Sequence, residues 1–188
     1  MRSKLLILLI LLLASSSALA IGDVVVGPFY GYGIPVANMW AKPGPLYGVQ
    51  ARASFLPFLA GGAYFNSGGY GDIELVYFPD EPFEFSRFLD GGEVTEYGLN
   101  LYLGKTSGTG WNYYAVGGIG SHKWERNHRQ EDSKVAYSLG GGLEYVLPMS
   151  LSIEGRAMFE AVSAGYDSMW KSVVAYVGMN YHFKFGPR

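Results

Sequence analysis

The amino-acid sequence predicts an all-β chain, an eight-stranded antiparallel up-and-down transmembrane β-barrel. Three observations predict it. Apolar and polar residues alternate with a period of two over most of the chain, the mark of a strand with two unlike faces. Long and short connections alternate between these strands, as they do when hairpins cross a bilayer. The composition favours aromatics and glycine over charge. The 188 residues include 27 Gly, 4 Trp, 15 Tyr and 11 Phe, and charged residues make up 16%, against ~25% in an ordinary soluble domain.

Residues 1–20, MRSKLLILLILLLASSSALA, stand apart from this pattern. Arg2 and Lys4 give a basic start, Leu5 to Ala14 an apolar run, and Ala18-Leu19-Ala20 a small-x-small cleavage site. These features predict a cleaved secretory signal peptide. The apolar run is too short for a spanning helix, which needs about 20 residues. One barrel domain over 21–188 follows. The lack of Cys excludes disulfides, thiolate metal sites, a cysteine nucleophile and a lipid-anchored cysteine. High hydrophobicity with low charge excludes a disordered chain. The net charge of -2 leaves no electrostatic footprint for nucleic acid.

Five strands alternate cleanly. In 47–55, Tyr47, Val49, Ala51, Ala53 and Phe55 oppose Gly48, Gln50, Arg52 and Ser54. In 95–105, Tyr97, Leu99, Leu101 and Leu103 oppose a face that carries Glu96, Asn100 and Tyr102. In 134–147, Val135, Tyr137, Leu139, Leu143 and Tyr145 oppose Lys134, Ser138 and Glu144. In 151–162, Leu151, Ile153, Ala157 and Phe159 oppose Glu154, Arg156 and Glu160. In 172–185, Val173, Val177, Met179, Tyr181, Phe183 and Phe185 oppose Ser172, Asn180, His182 and Lys184. The apolar faces carry no charge. The other faces carry Arg52, Glu96, Lys134, Glu144, Glu154, Arg156, Glu160 and Lys184.

Three more strands complete the set. Residues 24–35 alternate, but Pro28 is awkward in a central strand, so this strand is expected to begin after it or to bulge there. Residues 58–66 and 112–123 are glycine-rich, and alternation does not assign their faces. The connections run 36–46, Leu56-Pro57, 67–93, 106–110, 124–133, Pro148-Met149 and 165–170, long and short in turn. Within the longest of them, Ile73 to Phe78 reads as an extension of the third hairpin beyond the membrane, with a separate ninth strand as the alternative.

Alternation alone does not say which face is outside, since a soluble ligand-binding barrel turns its apolar face inward. Three features favour lipid on the apolar side. Aromatics gather at strand ends on that face, at Tyr47, Phe55, Tyr97, Tyr145, Tyr181, Phe183 and Phe185, as interface girdles do. The polar face is rich in small residues, which suits a narrow interior. A soluble barrel would carry many more Lys and Glu outside. In lipid every backbone polar group must be paired within the sheet, so the sheet must close.

On the residues YGVQARASFLPFLAGGAYFNSG, NYYAVGGIGSH and the C-terminal YVGMNYHFKF, the chain resembles the small eight-stranded outer-membrane barrels, the OmpX-like, OmpA transmembrane-domain and opacity-type proteins. The resemblance implies a cell outer-membrane location and contact with outer-membrane lipids and lipopolysaccharide. It also implies a monomer and insertion by the barrel-assembly machinery. The matching assembly signal is Gly178 with Tyr181, Phe183 and Phe185. Family members often stop at the final aromatic, whereas Gly186-Pro187-Arg188 follow here.

A barrel of eight strands is just wide enough for side chains to fill. Arg52, Arg156, Glu96, Glu144, Glu154 and Glu160 are therefore expected to pair inside as a structural plug, because an unpaired buried ion is costly. The alternative is a narrow gated pore for small solutes or ions, in which the ion pairs exchange partners. An enzyme acting on lipids would need a His beside a hydroxyl and a carboxylate. The histidines are His122, His128 and His182, and the nearest hydroxyl pairs are Ser121-His122 and Asp167-Ser168, a set of low specificity. His182 is expected at the base of the lumen. The segment WERNHRQED (124–132) reads as a solvated loop tip, or as a contact for lipopolysaccharide phosphates through Lys123, Arg126 and Arg129. The loop 67–93 mixes acids and aromatics, which reads as a loop packed on itself or as a contact for a partner or a cation, without an EF-hand spacing. No catalytic residue, metal site or cofactor is expected. The expected role is structural, in membrane integrity or in contact with a surface ligand through the outer loops.

Overall fold

The computed structural model describes residues 22–37, 41–77, 85–89, 91–126, 129–130, 133–163 and 169–185. They form eleven strands: β1 (Asp23–Ala37), β2 (Gly44–Leu56), β3 (Leu59–Gly69), β4 (Ile73–Tyr77), β5 (Phe85–Leu89), β6 (Glu93–Lys105), β7 (Gly110–Arg126), β8 (Arg129–Gln130), β9 (Lys134–Val146), β10 (Leu151–Ser163) and β11 (Met169–Lys184). Eight of them pair antiparallel in the order β1-β2-β3-β6-β7-β9-β10-β11, and β11 closes back onto β1. The fold is thus an all-β, closed, eight-stranded antiparallel barrel. The signal segment 1–20, Asp167-Ser168, His128 and 186–188 lie outside the described residues.

The register fixes the width of the barrel. A walk along paired residues from Val24 passes Ala53, Gly61, Leu101, Gly117, Leu139, Phe159 and Val173. It returns to β1 at Ile34, ten residues above its start. Eight strands with this stagger are strongly tilted, and their interior holds side chains and little else.

Alternation became orientation as the residues predict. Leu99, Leu139 and Val177 on the outer face are 63, 68 and 64% exposed. Their strand neighbours Asn100, Ser138 and Tyr176 are buried inside. Exposed Trp111, Tyr113, Tyr145 and Phe183 ring the short-turn end, where Trp111 and Tyr145 rings meet edge to face at 5.0 Å. Tyr30, Tyr47, Tyr97 and Tyr137 are exposed toward the other end. So large an apolar outer surface, with every central strand paired, is stable in hydrocarbon rather than in water.

Four local expectations are settled or corrected. β1 runs straight through Pro28, which is exposed and paired with Val49 of β2. The ladder to β11 skips Gly27 and Pro28 without a register shift there, so the missing N–H costs ladder pairs and no bulge. In β3 and β7 the buried sets are Ala60 and Asn66, and Asn112, Tyr114, Val116, His122 and Trp124, which assigns their inward faces. Ile73–Tyr77 is not part of the third barrel hairpin: it is β4, and it pairs with β5 in a separate two-stranded sheet. Trp124 is not at a loop tip, because β7 continues to Arg126 and buries the indole.

Candidate functional site: the barrel lumen

Inward parity on β2, β9, β10 and β11 places Gln50, Arg52, Glu144, Glu154, Arg156, Asn180 and His182 in the lower lumen, all buried. Arg52 Nη2 donates to Glu144 Oε2 at 2.6 Å, and its Nη1 lies 3.8 Å from Glu154 Oε1. Arg156 Nε is 3.9 Å from the same Glu154 oxygen, and Arg156 Nη2 donates to Gln50 Oε1 at 2.5 Å. Gln50 in turn donates to Glu154 at 2.5 Å. Asn180 Nδ2 donates to both Glu154, at 2.8 Å, and Glu144, at 3.3 Å. Tyr114 also donates to Glu154. Two guanidiniums thus face two carboxylates, amides and hydroxyls supply further bonds, and the Nε of each arginine is buried without a hydrogen bond. Low polarity around such a cluster strengthens its bonds and makes each orphan expensive.

Aromatic faces complete the cluster. The Arg52 guanidinium lies 5.3 Å from the ring centres of both Tyr102 and Tyr114. Arg156 lies 5.4 Å from Tyr176 and 5.9 Å from Phe29. Each such contact is worth about 0.5–2 kcal/mol. Gly142 makes room for this arrangement, since a Cβ there would stand 2.5 Å from the Tyr114 hydroxyl oxygen.

At the base, His182 Nε2 lies 3.1 Å from both Ser152 Oγ and Glu144 Oε1, and its Nδ1 lies 3.6 Å from Asp23. A serine, a histidine and an aspartate therefore sit together, but not as a hydrolytic triad. Ser152 Oγ donates its proton to Glu144 at 2.6 Å, Nδ1 has no hydrogen bond, and both Ser152 and His182 are buried. A nucleophile needs its base in hydrogen-bond contact and a path for substrate. The other candidate pair, Ser121-His122, is split by strand parity: His122 is buried inside while Ser121 takes the outer face.

Glu96 and Glu160 are also inside; among the described residues neither forms an ion pair with Arg52 or Arg156, although Arg156 and Glu160 line one cavity. Tyr64 donates to Glu96 at 2.5 Å, and His122 Nδ1 lies 3.7 Å from Glu96. Glu160 accepts from Tyr176 at 3.2 Å and Ser172 at 3.4 Å. Above them an apolar cluster of Ala41, Tyr70, Val94 and Trp124, with Trp170 against it, covers the long-loop mouth. Trp124 and Trp170 meet edge to face at 4.6 Å. Trp124 Nε1 donates to the Gly91 carbonyl at 2.9 Å, and the Tyr70 N–H donates to Gly92 O at 3.0 Å. Gly92 takes φ +81°, a left-handed turn that suits glycine. Burial there pushes the Tyr70 phenol above its ordinary range.

At the rim, the Lys123 ammonium is paired with Glu125. The side chains of Arg126 and Arg129 lie outside the described residues. On the assembly-signal strand, Gly178 faces inward, and Tyr181, Phe183 and Phe185 are exposed on the outer face. The Tyr181 and Phe183 rings meet at 4.8 Å. Sequence reasoning had not singled out Gln50, Tyr102, Tyr114, Asn180 and Ser152 as network members. They share the inward parity of Arg52 and Glu144, which was the available signal. The aromatic cap had no such signal, because Tyr70, Trp124 and Trp170 come from three separate segments.

No protein-family model matches the chain, and no curated protein matches it. Solved structures do. Neisserial surface protein A (NspA) aligns at 8% identity over 87% of this chain and 99% of that one, with a TM-score of 0.61. The outer membrane protein OprG from Pseudomonas aeruginosa aligns at 10% identity over 88% and 97%, with a TM-score of 0.55. Ail, the attachment invasion locus protein of Yersinia pestis, in complex with the heparin analogue sucrose octasulfate, aligns at 17% identity over 86% and 99%, with a TM-score of 0.51. The chain has the fold of the small eight-stranded outer-membrane β-barrels. At these identities the likeness carries the fold and no activity.

Proposed function

We propose that this chain is a monomeric outer-membrane barrel with a closed lumen. Its role would be non-enzymatic, in membrane integrity or in surface contacts made by its outer loops. The observation that carries this reading is double closure. The Arg52–Glu144–Glu154–Arg156 network fills the lower lumen, and the Tyr70–Trp124–Trp170 cluster covers the upper mouth. Delivery by a cleaved signal at 1–20 and insertion through Gly178, Tyr181, Phe183 and Phe185 belong to the same proposal. So does contact with lipopolysaccharide at the rim. The similar structures that are surface or attachment proteins support a role at the cell surface. The second reading, a narrow gated pore, draws on Glu154, which lies 3.8 Å from one arginine and 3.9 Å from the other and is placed for partner exchange.

Planar-bilayer recording of purified, refolded protein tests the closed lumen. The expected trace has no steady open state. Sustained openings in the wild-type protein would replace the plug with the pore. Mass spectra of lipid A from a deletion strain test the non-enzymatic reading, and a lost modification would overturn it.

A further inference from the structure

The wall of the barrel is not uniform. Six of its eight ladders run unbroken, and β2–β3 slips only beside its hairpin, between Ser54 and Leu56. Among the described strands, the β1–β11 ladder is the one interrupted in mid-length. Val26 pairs with Tyr181 and Phe29 with Gly178, and the two positions between them are unpaired. Pro28 is the cause. It stands opposite Met179, keeps its pair with Val49 on β2, and has no N–H to give the β11 side. The Met179 carbonyl is therefore left without its ladder donor in a wall that meets hydrocarbon, where an unpaired backbone group is costly. The side-chain amides beside it are committed: Asn180 bonds Glu144 and Glu154, and Gln50 bonds Glu154 and Asn180. The gap leaves four pairs below it and seven above, before a register shift between Pro35 and Ala37. The strand ends below are tied, with the Phe185 N–H donating to Gly22 O at 3.0 Å. The weakness is thus a slit in mid-wall and not a frayed end.

A crevice on the lipid side lies over this slit. Its volume is about 470 Å³, and Pro28, Tyr30, Ile153, Val177 and Met179 line it. Phe29 and Gly178 line it as well, although both are buried and turned inward. The crevice therefore reaches the inner layer of the wall. On the lumen side, Phe29 lines a small cavity together with Arg156, Glu160 and Tyr176. Phe29 thus stands between the two spaces. Both of its ladder partners, Gly48 and Gly178, lack side chains, so no side chain at its own level backs it. Its ring meets Tyr176 edge to face at 4.9 Å, and the Arg156 guanidinium lies 5.9 Å from its centre.

We propose that the β1–β11 seam is a lateral port. The strands part locally around Pro28 and Met179, the Phe29 ring swings as the leaf, and a small uncharged molecule dissolved in the bilayer reaches the Arg156 guanidinium from the side. Parting costs less here than along an unbroken ladder, because one bond is already missing and the Met179 carbonyl gains a donor from water or from the incoming molecule. A crevice of this volume is in the range that holds a small ligand, and its apolar lining suits an apolar body. The port is independent of the axial closure, since the Tyr70–Trp124–Trp170 cluster covers the upper mouth and not the seam.

The probe is phenylglyoxal, a small uncharged aromatic dicarbonyl that adds to guanidinium groups. The refolded barrel in lipid vesicles is treated with it, and adducts on Arg156 are counted by mass spectrometry against the denatured protein. In parallel, hydrogen–deuterium exchange is followed over 24–30 and 177–182, with the paired stretches 141–145 and 153–157 as reference. The seam should exchange faster than the reference, and Arg156 should be labelled. Pro28→Val supplies the missing N–H and should slow both by about tenfold, the worth of one well-placed bond. Phe29→Ala removes the leaf and should speed the labelling. Trp124→Ala, which uncovers the axial mouth, should leave the Arg156 rate unchanged. Gel mobility of unheated samples reports folding; if Phe29→Ala does not fold, Pro28→Val and Trp124→Ala decide. Seam exchange no faster than the reference overturns the port. So does Arg156 labelling that Pro28→Val does not slow, that folded Phe29→Ala does not raise, or that rises with Trp124→Ala.

Discussion

Arg52 is the group on which the lower lumen turns, and its removal gives the sharpest test of the packing described above. The guanidinium is 3% exposed, bonds Glu144 at 2.6 Å, faces Glu154 at 3.8 Å and lies over two tyrosine rings. Arg52→Met keeps most of the side-chain length and deletes the charge. Breaking a buried pair by removing one partner costs about 3–5 kcal/mol, chiefly because the other charge is stranded. The two ring contacts add about 0.5–2 kcal/mol each. Against this, Glu144 keeps donors on Ser152 and Asn180, and Glu154 keeps Gln50, Asn180 and Tyr114. A net loss of about 3 kcal/mol is therefore expected. Reversible denaturant unfolding in lipid vesicles, followed by tryptophan fluorescence, measures it. The companion Arg52→Met with Glu144→Gln removes the stranded charge and should recover about half of the loss or more. A single-variant loss under about 1 kcal/mol, or a double variant worse than the two single changes added together, would refute the claim that these charges depend on each other.

Two further outcomes bear on the outer surface and the cap. Leu139→Arg puts a charge on the bare face at mid-strand and should cost about 2–4 kcal/mol in the same vesicle assay; a change near zero would mean that this face does not meet acyl chains. Trp124→Ala removes the centre of the upper cluster and the bond to the Gly91 carbonyl, and truncating a buried Trp costs about 3–5 kcal/mol. Because the cluster ties the outer segments to the mouth, protease should then cut within 67–93 faster while the barrel stays folded, and unaltered cutting would show that the cap is not held by this indole.

Much of this molecule was legible in its residues because a strand's side chains alternate without exception. Leu139 outside and Ser138 inside follow from parity, and the same rule put Arg52, Glu96, Glu144, Glu154, Arg156 and Glu160 within the wall. Glycine-rich β3 and β7 escaped that rule, since a strand whose faces both carry small residues has no contrast to read. Pro28 misled because its missing N–H matters only for the ladder on one side, and the other side holds the strand in register. Trp124 misled because its neighbours in sequence are charged, while its neighbours in space are Tyr70 and Trp170.

The sequence by itself determined the eight strands of the barrel, the direction in which side chains face on the strands that alternate cleanly and the kind of solvent the outer face requires, all of which are local consequences of a two-residue repeat. Which inward groups meet was decided by the tertiary structure alone. That depends on a ten-residue stagger distributed over eight strands, which carries Arg52 to Glu144 across 92 positions of chain and brings Glu160 and Arg156 of β10 into one cavity with Tyr64 of β3. No window along the chain contains that stagger, because it exists only once β11 has closed onto β1.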